Sequence, residues 1–473
     1  MSRIQEQWRE HYAAVPETLR SLQDIETVLS VFNTNIDAVK KITPAFFQEL
    51  VRIADRSATG DERPPEIATA GDLLRGFVEC FRAGIAQEWL VTNEATYRWL
   101  DAHVGYDRLQ MGGQGGIIAN VMATCKIKKV LVHAASLPAQ QSALFVDRAN
   151  LLSATSTGGL QRARSIDRAE DVPLIHWILE FSKGDTISLG GEEITCPKSN
   201  RFIATWDPLN FTLCIDSNFA EAVASYGGEL NYCMLSGYQM LCEHLSNGGN
   251  SLQRIVESKR LIDRWREGND QLIVHFEYAS TQDEVVRQQL FKEMDGWADS
   301  MGLNEQELID LLEVVGQDEL AAACRRTLAS VELFEGLRWV FENCRVPRIQ
   351  LHFFGLYLTL QEKGYRHTPL QTRNGMTLAA TIAASKAGTG SIEEEGNLGW
   401  ACGKPIGAIA EKEITTLAAY LARQDGESRF ADHGIHEGET FDLIAVPTII
   451  VENPVTLVGM GDTISSLSLV GAR

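Results

Sequence analysis

The chain contains no Cys-x-x-Cys pair and no short-spaced Cys/His set; its nine cysteines, at 80, 125, 196, 214, 233, 242, 324, 344 and 402, are scattered. That spacing argues against a structural zinc module and reads as buried free thiols in a reducing compartment. No apolar run approaches the roughly 20 residues needed to span a bilayer. The start, Met1 to Glu10, is polar and carries no signal-peptide core, so a cytoplasmic protein without membrane partners is expected. Positive charge is also short. A formal net charge of -20, with lysine scarce beside arginine, excludes the basic stripe of a nucleic-acid surface. An anionic substrate stays possible, because a small basic site can sit inside an acidic shell. Such an acid-rich, lysine-poor surface also suits concentrated salt, where self-repulsion is screened. Internal repeats and low-complexity tracts are absent.

What is present is a soluble globular composition, 44% hydrophobic and 22% charged, over 473 residues, enough for two domains. Apolar β-rich runs recur at 28–32, 129–133, 231–235, 272–276, 349–356 and 443–451. Amphipathic stretches at 252–266, 284–299, 305–315 and 332–343 lie between several of them. This alternation predicts an α/β fold, a parallel sheet with helices on both faces and ligands at the carboxyl ends of its strands. The stretches 61–107 and 167–207 are richer in turns and charges and read as parts of a smaller inserted domain. Within them 186–201, with Gly190-Gly191, has the pattern of a hairpin.

The strongest motif lies near the end. After the run 443–451 come Asn453-Pro454 and then Gly459-Met460-Gly461-Asp462-Thr463, a strand, a glycine turn and a helix opening on an acid. Glycines let backbone approach a ligand, and free N–H groups of a first helical turn hold anions. Asp462 beside such an anion would repel phosphate but would accept the proton of a hydroxyl attacking it. A helix cap explains Asp-Thr equally well. At the front, Asn33, Asn35 and Asp37 follow a strand and offer amides and a carboxylate to sugar hydroxyls, with an Asx turn as the competing reading. Met111-Gly112-Gly113-Gln114-Gly115-Gly116 reads as a ligand loop or a hinge.

Further along, His275 and Glu277 share one side of a strand, and Asn304 and Glu307 share the first turn of a helix. Carboxylates there could hold the waters of a Mg²⁺ ion, while a capping box accounts for Asn304 and Glu307 alone. Arg201, in the smaller domain, suits phosphate bidentately or simply faces solvent.

Taken together and in this order, these segments, with Leu235-Ser236-Gly237-Tyr238-Gln239, resemble the ADP-dependent sugar kinases of archaea. That branch of the ribokinase-like superfamily holds ADP-dependent phosphofructokinases and glucokinases. The resemblance implies a large Rossmann-like αβα domain (residues 1–28, 41–60, 108–166 and 208–473) that binds ADP. It also implies a smaller α/β lid (29–40, 61–107 and 167–207) that closes over the sugar. It makes Asp462 the base and Gly459 to Gly461 the anion hole, with Arg201 on phosphate. It assigns Mg²⁺ or another divalent cation to Glu277, Asn304 and Glu307, and the sugar to Asn33, Asn35, Asp37, Gly112, Gly113 and Gln114. His352, Val446, Pro447, Thr448 and Asn453 match the nucleotide region. Lys183 and Arg201 suit the phosphate of fructose 6-phosphate, whereas Glu88 and His176 suit the hydroxyls of glucose. The expected activity is that of an ADP-dependent phosphofructokinase, with a glucokinase or bifunctional enzyme as the alternative, acting as a monomer or small homo-oligomer. An ATP-dependent ribokinase-type kinase and a non-catalytic sugar or nucleotide sensor are more distant readings.

Overall fold

The computed structural model describes residues 2–54, 65–279, 281, 283–426 and 429–473. Among these, two large sheets form, each with its own hydrophobic core. The larger has the strand order Ile435–Glu437, Phe441–Pro447, Leu356–Glu362, Arg348–Phe353, Ser300–Asn304, Ile273–Glu277, Leu230–Leu235, Thr27–Val31, Lys129–Val132, Leu151–Ala154, Leu160–Arg162. From Leu151–Ala154 across to Arg348–Phe353 all neighbours run parallel. Thr27–Val31 and Ile273–Glu277 are buried at every position, as strands covered on both faces must be.

The expected parallel sheet therefore holds for the centre only. Both edges are antiparallel. The expected single run 349–356 breaks where Phe354-Gly355 turns the chain back, and Gly355 takes φ +102°, a conformation that side chains resist. The run 443–451 likewise stops pairing at Pro447.

The smaller sheet has the order Glu66–Ile67, Gln87–Val91, Asn200–Trp206, Ile175–Phe181, Asn35–Lys41, Arg108–Gly112. Phe77, Phe81, Trp89, Phe181 and Phe202 fill one of its faces. Period-two alternation then turns Arg201, Ile203 and Thr205 to the other face, which Thr205, His176 and Asp37 share as lateral neighbours. Thr186–Leu189 and Glu192–Thr195 form the expected hairpin around Gly190 and Gly191.

Strand pairing departs from the sequence-drawn division in three places. Residues 29–31 belong to a strand of the larger sheet, Arg108–Gly112 pairs with Asn35–Lys41 in the smaller one, and Pro44–Ile53 packs Phe47 and Leu50 into the smaller core. Pairing partners decide sheet membership, and composition does not reveal them. The expected boundary at 60/61 lies outside the described residues.

One helix pair fixes the end of the chain. Pro369–Thr389 is buried along most of its length and lies against Met460–Val470 so closely that a Cβ at Gly375 would sit 2.5 Å from the Ser468 carbonyl oxygen and 2.6 Å from the Ala472 nitrogen. We expect Gly375→Ala to lower stability by about 1–3 kcal/mol through this overpacking. Urea unfolding measures it, and an unchanged midpoint would mean that the two helices can separate freely.

Candidate active site

Thr27–Val31 lies where the parallel strands reverse direction of succession, with Lys129–Val132 on one side and Leu230–Leu235 on the other. Crevices at the carboxyl ends of strands form at such points. Asn33, just beyond it, adopts φ 62°, and its carbonyl accepts the Gly115 N–H at 3.0 Å. That turn sends Asn35 and Asp37 into the smaller sheet, where Asn35 Nδ2 donates to Asp37 Oδ1 at 2.9 Å. A Cβ on Gly112 would fall 2.1 Å from Asp37 Oδ1, and one on Gly113 (φ +72°) 2.5 Å from the Asn33 carbonyl oxygen. The glycine loop is thus required by close backbone approach.

Asn33 Oδ1 and Asn35 Oδ1 are buried without a hydrogen-bond partner among the described residues, as acceptors awaiting a hydroxyl would be. Asp37 is held above the usual carboxylate range by burial, against the pull of the His176 cation and the bonds from Asn35 and Gln110. For His176, burial alone would depress the imidazole. Its 3.0 Å bond to Asp207, with the charges of Asp207, Glu88 and Asp37, outweighs burial and holds it up at about 9. Thr205 donates to Glu88 Oε1 at 2.5 Å on the same face. Arg201 stands exposed at the other end of that face, opposite Glu180 and four residues from Thr205. Lys183 is exposed in the turn beyond Phe181, seven residues past His176, and the strand from His176 to Phe181 alone spans on the order of 17 Å. The structure does not bring it to the other sugar-side residues.

On the opposite wall, Gly459 caps Met460–Val470 with φ +61°, so the N–H groups of Gly461 and Asp462 lie in the first turn of that helix. Gln114 reaches both elements, accepting from Gly237 N–H at 3.2 Å and hydrogen-bonding the Asp462 carboxylate. Asp462 keeps some solvent exposure, yet protein crowds it enough that burial, with Asp37 adding repulsion, raises its pKa above the usual aspartate range. Lys386 and Gln114 pull the other way. Lys386 escaped the sequence reading. Its amine bonds the Gly459 carbonyl at 3.2 Å, and the usable signal was one cation inside the small-residue run Ala383-Ala384-Ser385-Lys386-Ala387. Asp207 was missed too, since nothing local in sequence ties it to His176.

Behind the helix Met460–Val470, Glu277 is buried and held well above its usual range by burial, then by the charges of Asp462 and Glu307, with a Ser465 bond opposing. His275 Nε2 lies 3.1 Å from Glu277 Oε2 and 2.9 Å from Ser465 Oγ. Asn304 and Glu307 do form a capping box: Asn304 Oδ1 accepts from Glu307 N–H at 3.0 Å, and Glu307 Oε2 from Asn304 N–H at 2.7 Å. Glu307, held in this cap, lies near enough to Glu277 for its charge to act on that carboxyl.

A mostly apolar cavity of about 240 Å³ opens between Phe353–Gly355, Ala383–Ala387 and Thr448–Val451. His352 and Thr448 line it. Burial depresses His352 to about 4, leaving a neutral imidazole whose Nδ1 has no partner among the described residues. Val446 and Pro447 lie beneath the cavity, buried in the sheet, and the Pro447 carbonyl is taken by Tyr12 at 2.8 Å. Asn453 is exposed outside it.

The model of the ADP-specific phosphofructokinase/glucokinase conserved region matches residues 26–471. The chain belongs to this family of ADP-dependent sugar kinases. It is 27% identical to an ADP-specific phosphofructokinase of Methanosarcina acetivorans, covering 98% of this chain and 97% of that one. It is 31% identical to an ADP-dependent glucose/glucosamine kinase of Pyrococcus furiosus, covering 98% of each. Among solved structures, the last common ancestor of ADP-dependent phosphofructokinases from Methanosarcinales superposes with a TM-score of 0.88 at 28% identity, over 100% of this chain and 99% of that one. An ADP-dependent kinase in complex with fructose-6-phosphate and ADPβS gives 0.83 at 27%, over 100% and 98%. The mixed α/β architecture is that of these kinases. Among the described residues no helix is long and apolar enough to cross a membrane.

We expect Gly112→Ala to displace Asp37 and Asn35, raising KM for the sugar on the order of tenfold while leaving KM for ADP within a few fold. Initial-rate kinetics in both substrates measure it. Equal effects on both would place Gly112 outside the acceptor side.

Proposed function

We propose that this protein transfers the β-phosphoryl of MgADP to the C1 hydroxyl of fructose 6-phosphate, giving fructose 1,6-bisphosphate and AMP. The observation that carries the reading is Asp462: a carboxylate in the first turn of a helix capped by Gly459, bonded to Gln114 of the glycine loop and near enough to Asp37 to feel its charge. In this reading the acceptor hydroxyl lies between Asp37 and Asp462. Asp462 takes its proton as the oxygen attacks phosphorus, and the bond to the AMP oxygen breaks in line. The N–H groups of Gly461 and Asp462, with the helix dipole, receive the charge that spreads onto the moving group. Adenine fits the apolar cavity, where the neutral His352 Nδ1 and Thr448 offer polar contacts. A third phosphate has no counterpart in this scheme.

The residues fit a hard divalent cation. The donor set is oxygen-only, Glu277 is raised first by burial and then by neighbouring carboxylates whose repulsion a cation would offset, and Gly302 leaves its Oε2 room that a Cβ, 2.6 Å away, would occupy. Glu277 and Glu307 would hold Mg²⁺ through its waters, several of which that ion usually keeps. When bound, it would neutralise charge on the nucleotide phosphates.

Fructose 6-phosphate is favoured because Arg201 stands exposed on the face that carries Asp37 and Thr205, available to an acceptor that brings its own phosphate. The second reading, glucose, draws on Glu88, ordered by Thr205 and 3.9 Å from His176, as a hydroxyl partner.

Asp462→Ala should lower kcat on the order of 10²-fold or more, and residual activity within a few fold of wild type would remove Asp462 as the base. Because Asp462 is raised, kcat/KM should fall on the acid side at a pH above the ordinary aspartate value of 3.8. Its proton-accepting form exists only above that point. Steady-state kinetics with ADP against fructose 6-phosphate and glucose decide the substrate: a preference above tenfold for glucose overturns the first reading.

A further inference from the structure

Lys386 sits three residues from the end of the buried helix Pro369–Thr389, among Ala383, Ala384 and Ala387. Its amine donates to the Gly459 carbonyl at 3.2 Å and lies 3.4 Å from Thr463 Oγ1. That carbonyl already accepts the Thr463 hydroxyl at 2.7 Å and the Thr463 N–H at 3.2 Å, so the ammonium adds little that the turn lacks. Two of its three donors are thereby used. No carboxylate lies within ion-pair distance of it among the described residues. Lys386 is half-buried, and a cation partly withdrawn from water with no anion at ion-pair distance is a natural partner for an anion that arrives in the cavity it lines.

The third donor has a place to point. Lys386 lines a cavity of about 260 Å³ bounded by Gln110 and Met111 of the smaller sheet, Ile117 and Asn120 of the following helix, and Thr456 and Val458 before the glycine turn. Gln110 hydrogen-bonds Asp37, and Lys386 acts electrostatically on Asp462, so this cavity adjoins both carboxylates of the transfer site. The charged groups facing the amine are Asp462, from the helix Met460–Val470, and Glu393, from the loop after Gly390.

We propose that Lys386 is a further catalytic residue, a cation supplied by the large domain that contacts the phosphoryl group during transfer from ADP to the sugar. The assignment rests on the phosphoryl-transfer reading above. Neutralising the equatorial oxygens of the moving group from a fixed position lowers the barrier without reorganisation, and a single such contact is worth on the order of 10²-fold in kcat. Burial pushes the amine down to about 8, against the pull of Asp462. The charged form is therefore present below that pH and is lost above it.

The test compares wild type with Lys386→Met, Lys386→Arg and Asp462→Asn. Lys386→Met should fold, with a melting temperature at or above wild type once the unpaired charge is gone. It should lose on the order of 10²-fold in kcat with KM for ADP and sugar within a few fold. Lys386→Arg should recover tenfold or more of that loss. Wild-type kcat should decline above about pH 8, a limb that Lys386→Arg carries to higher pH. A folded Lys386→Met with kcat within threefold of wild type, or an alkaline limb unmoved in Lys386→Arg, overturns the proposal; the second criterion decides if the methionine variant does not fold. Activity retained in Asp462→Asn would instead remove the underlying base assignment, whereas an inactive Asp462→Asn beside an active Lys386→Met removes Lys386 alone.

Discussion

The contact on which the site depends is main chain against main chain at the carboxyl end of Thr27–Val31. The Asn33 carbonyl accepts from Gly115, and Gly112, Gly113, Gly115 and Gly237 each leave no space for a Cβ against Phe32 to Asp37. Those contacts bring three segments together: the first turn of the large sheet, the entry into the smaller sheet and the start of the helix Gln114–Thr124. Because Asn35–Lys41 leaves one sheet and joins the other through this knot, the two sheets share a fixed point.

The second constraint is electrostatic. Asp37, Asp462 and Glu277 are all held above their ordinary range by burial, and repulsion adds to it: Asp37 acts on Asp462, and Asp462 and Glu307 act on Glu277. Two cations answer them, His176 on the sugar side and Lys386 on the turn side. Under the proposed reading, a metal ion accompanying the nucleotide would offset part of this repulsion.

Much of this was legible before the fold was known. Glycine spacing at 112–116 and 459–461 marked the positions where a Cβ would collide with neighbouring atoms, and alternation in Gln271 to Glu277 placed His275 beside Glu277. These signals are local: a turn, a cap or a two-residue period. The missed features are nonlocal. Asp207 matters through a bond to His176 across two strands, and Lys386 through a carbonyl 73 residues away. The antiparallel edge around Gly355 was hidden for a related reason, since a continuous apolar run looks alike whether it forms one strand or two strands joined at a glycine. At Asn304 and Glu307 the local reading is the one observed, since both side chains are engaged in the capping box.

The smaller sheet carries the remaining question of acceptor in the arrangement of one face. At the inner end stand Asp37, His176, Thr205 and Glu88, donors and acceptors suited to hydroxyls; at the outer end stand Arg201 and Arg108, the latter 3.3 Å from Glu180. An acceptor with a phosphate needs both ends, and one without it needs only the first. Under the proposed reading, discrimination then depends on whether Arg201 is free to meet a phosphate or is neutralised by Glu180, its lateral neighbour, which already holds Arg108. A balance of one carboxylate between two guanidiniums leaves a net positive charge at that end. A phosphorylated sugar gains from that charge, and a neutral hexose does not.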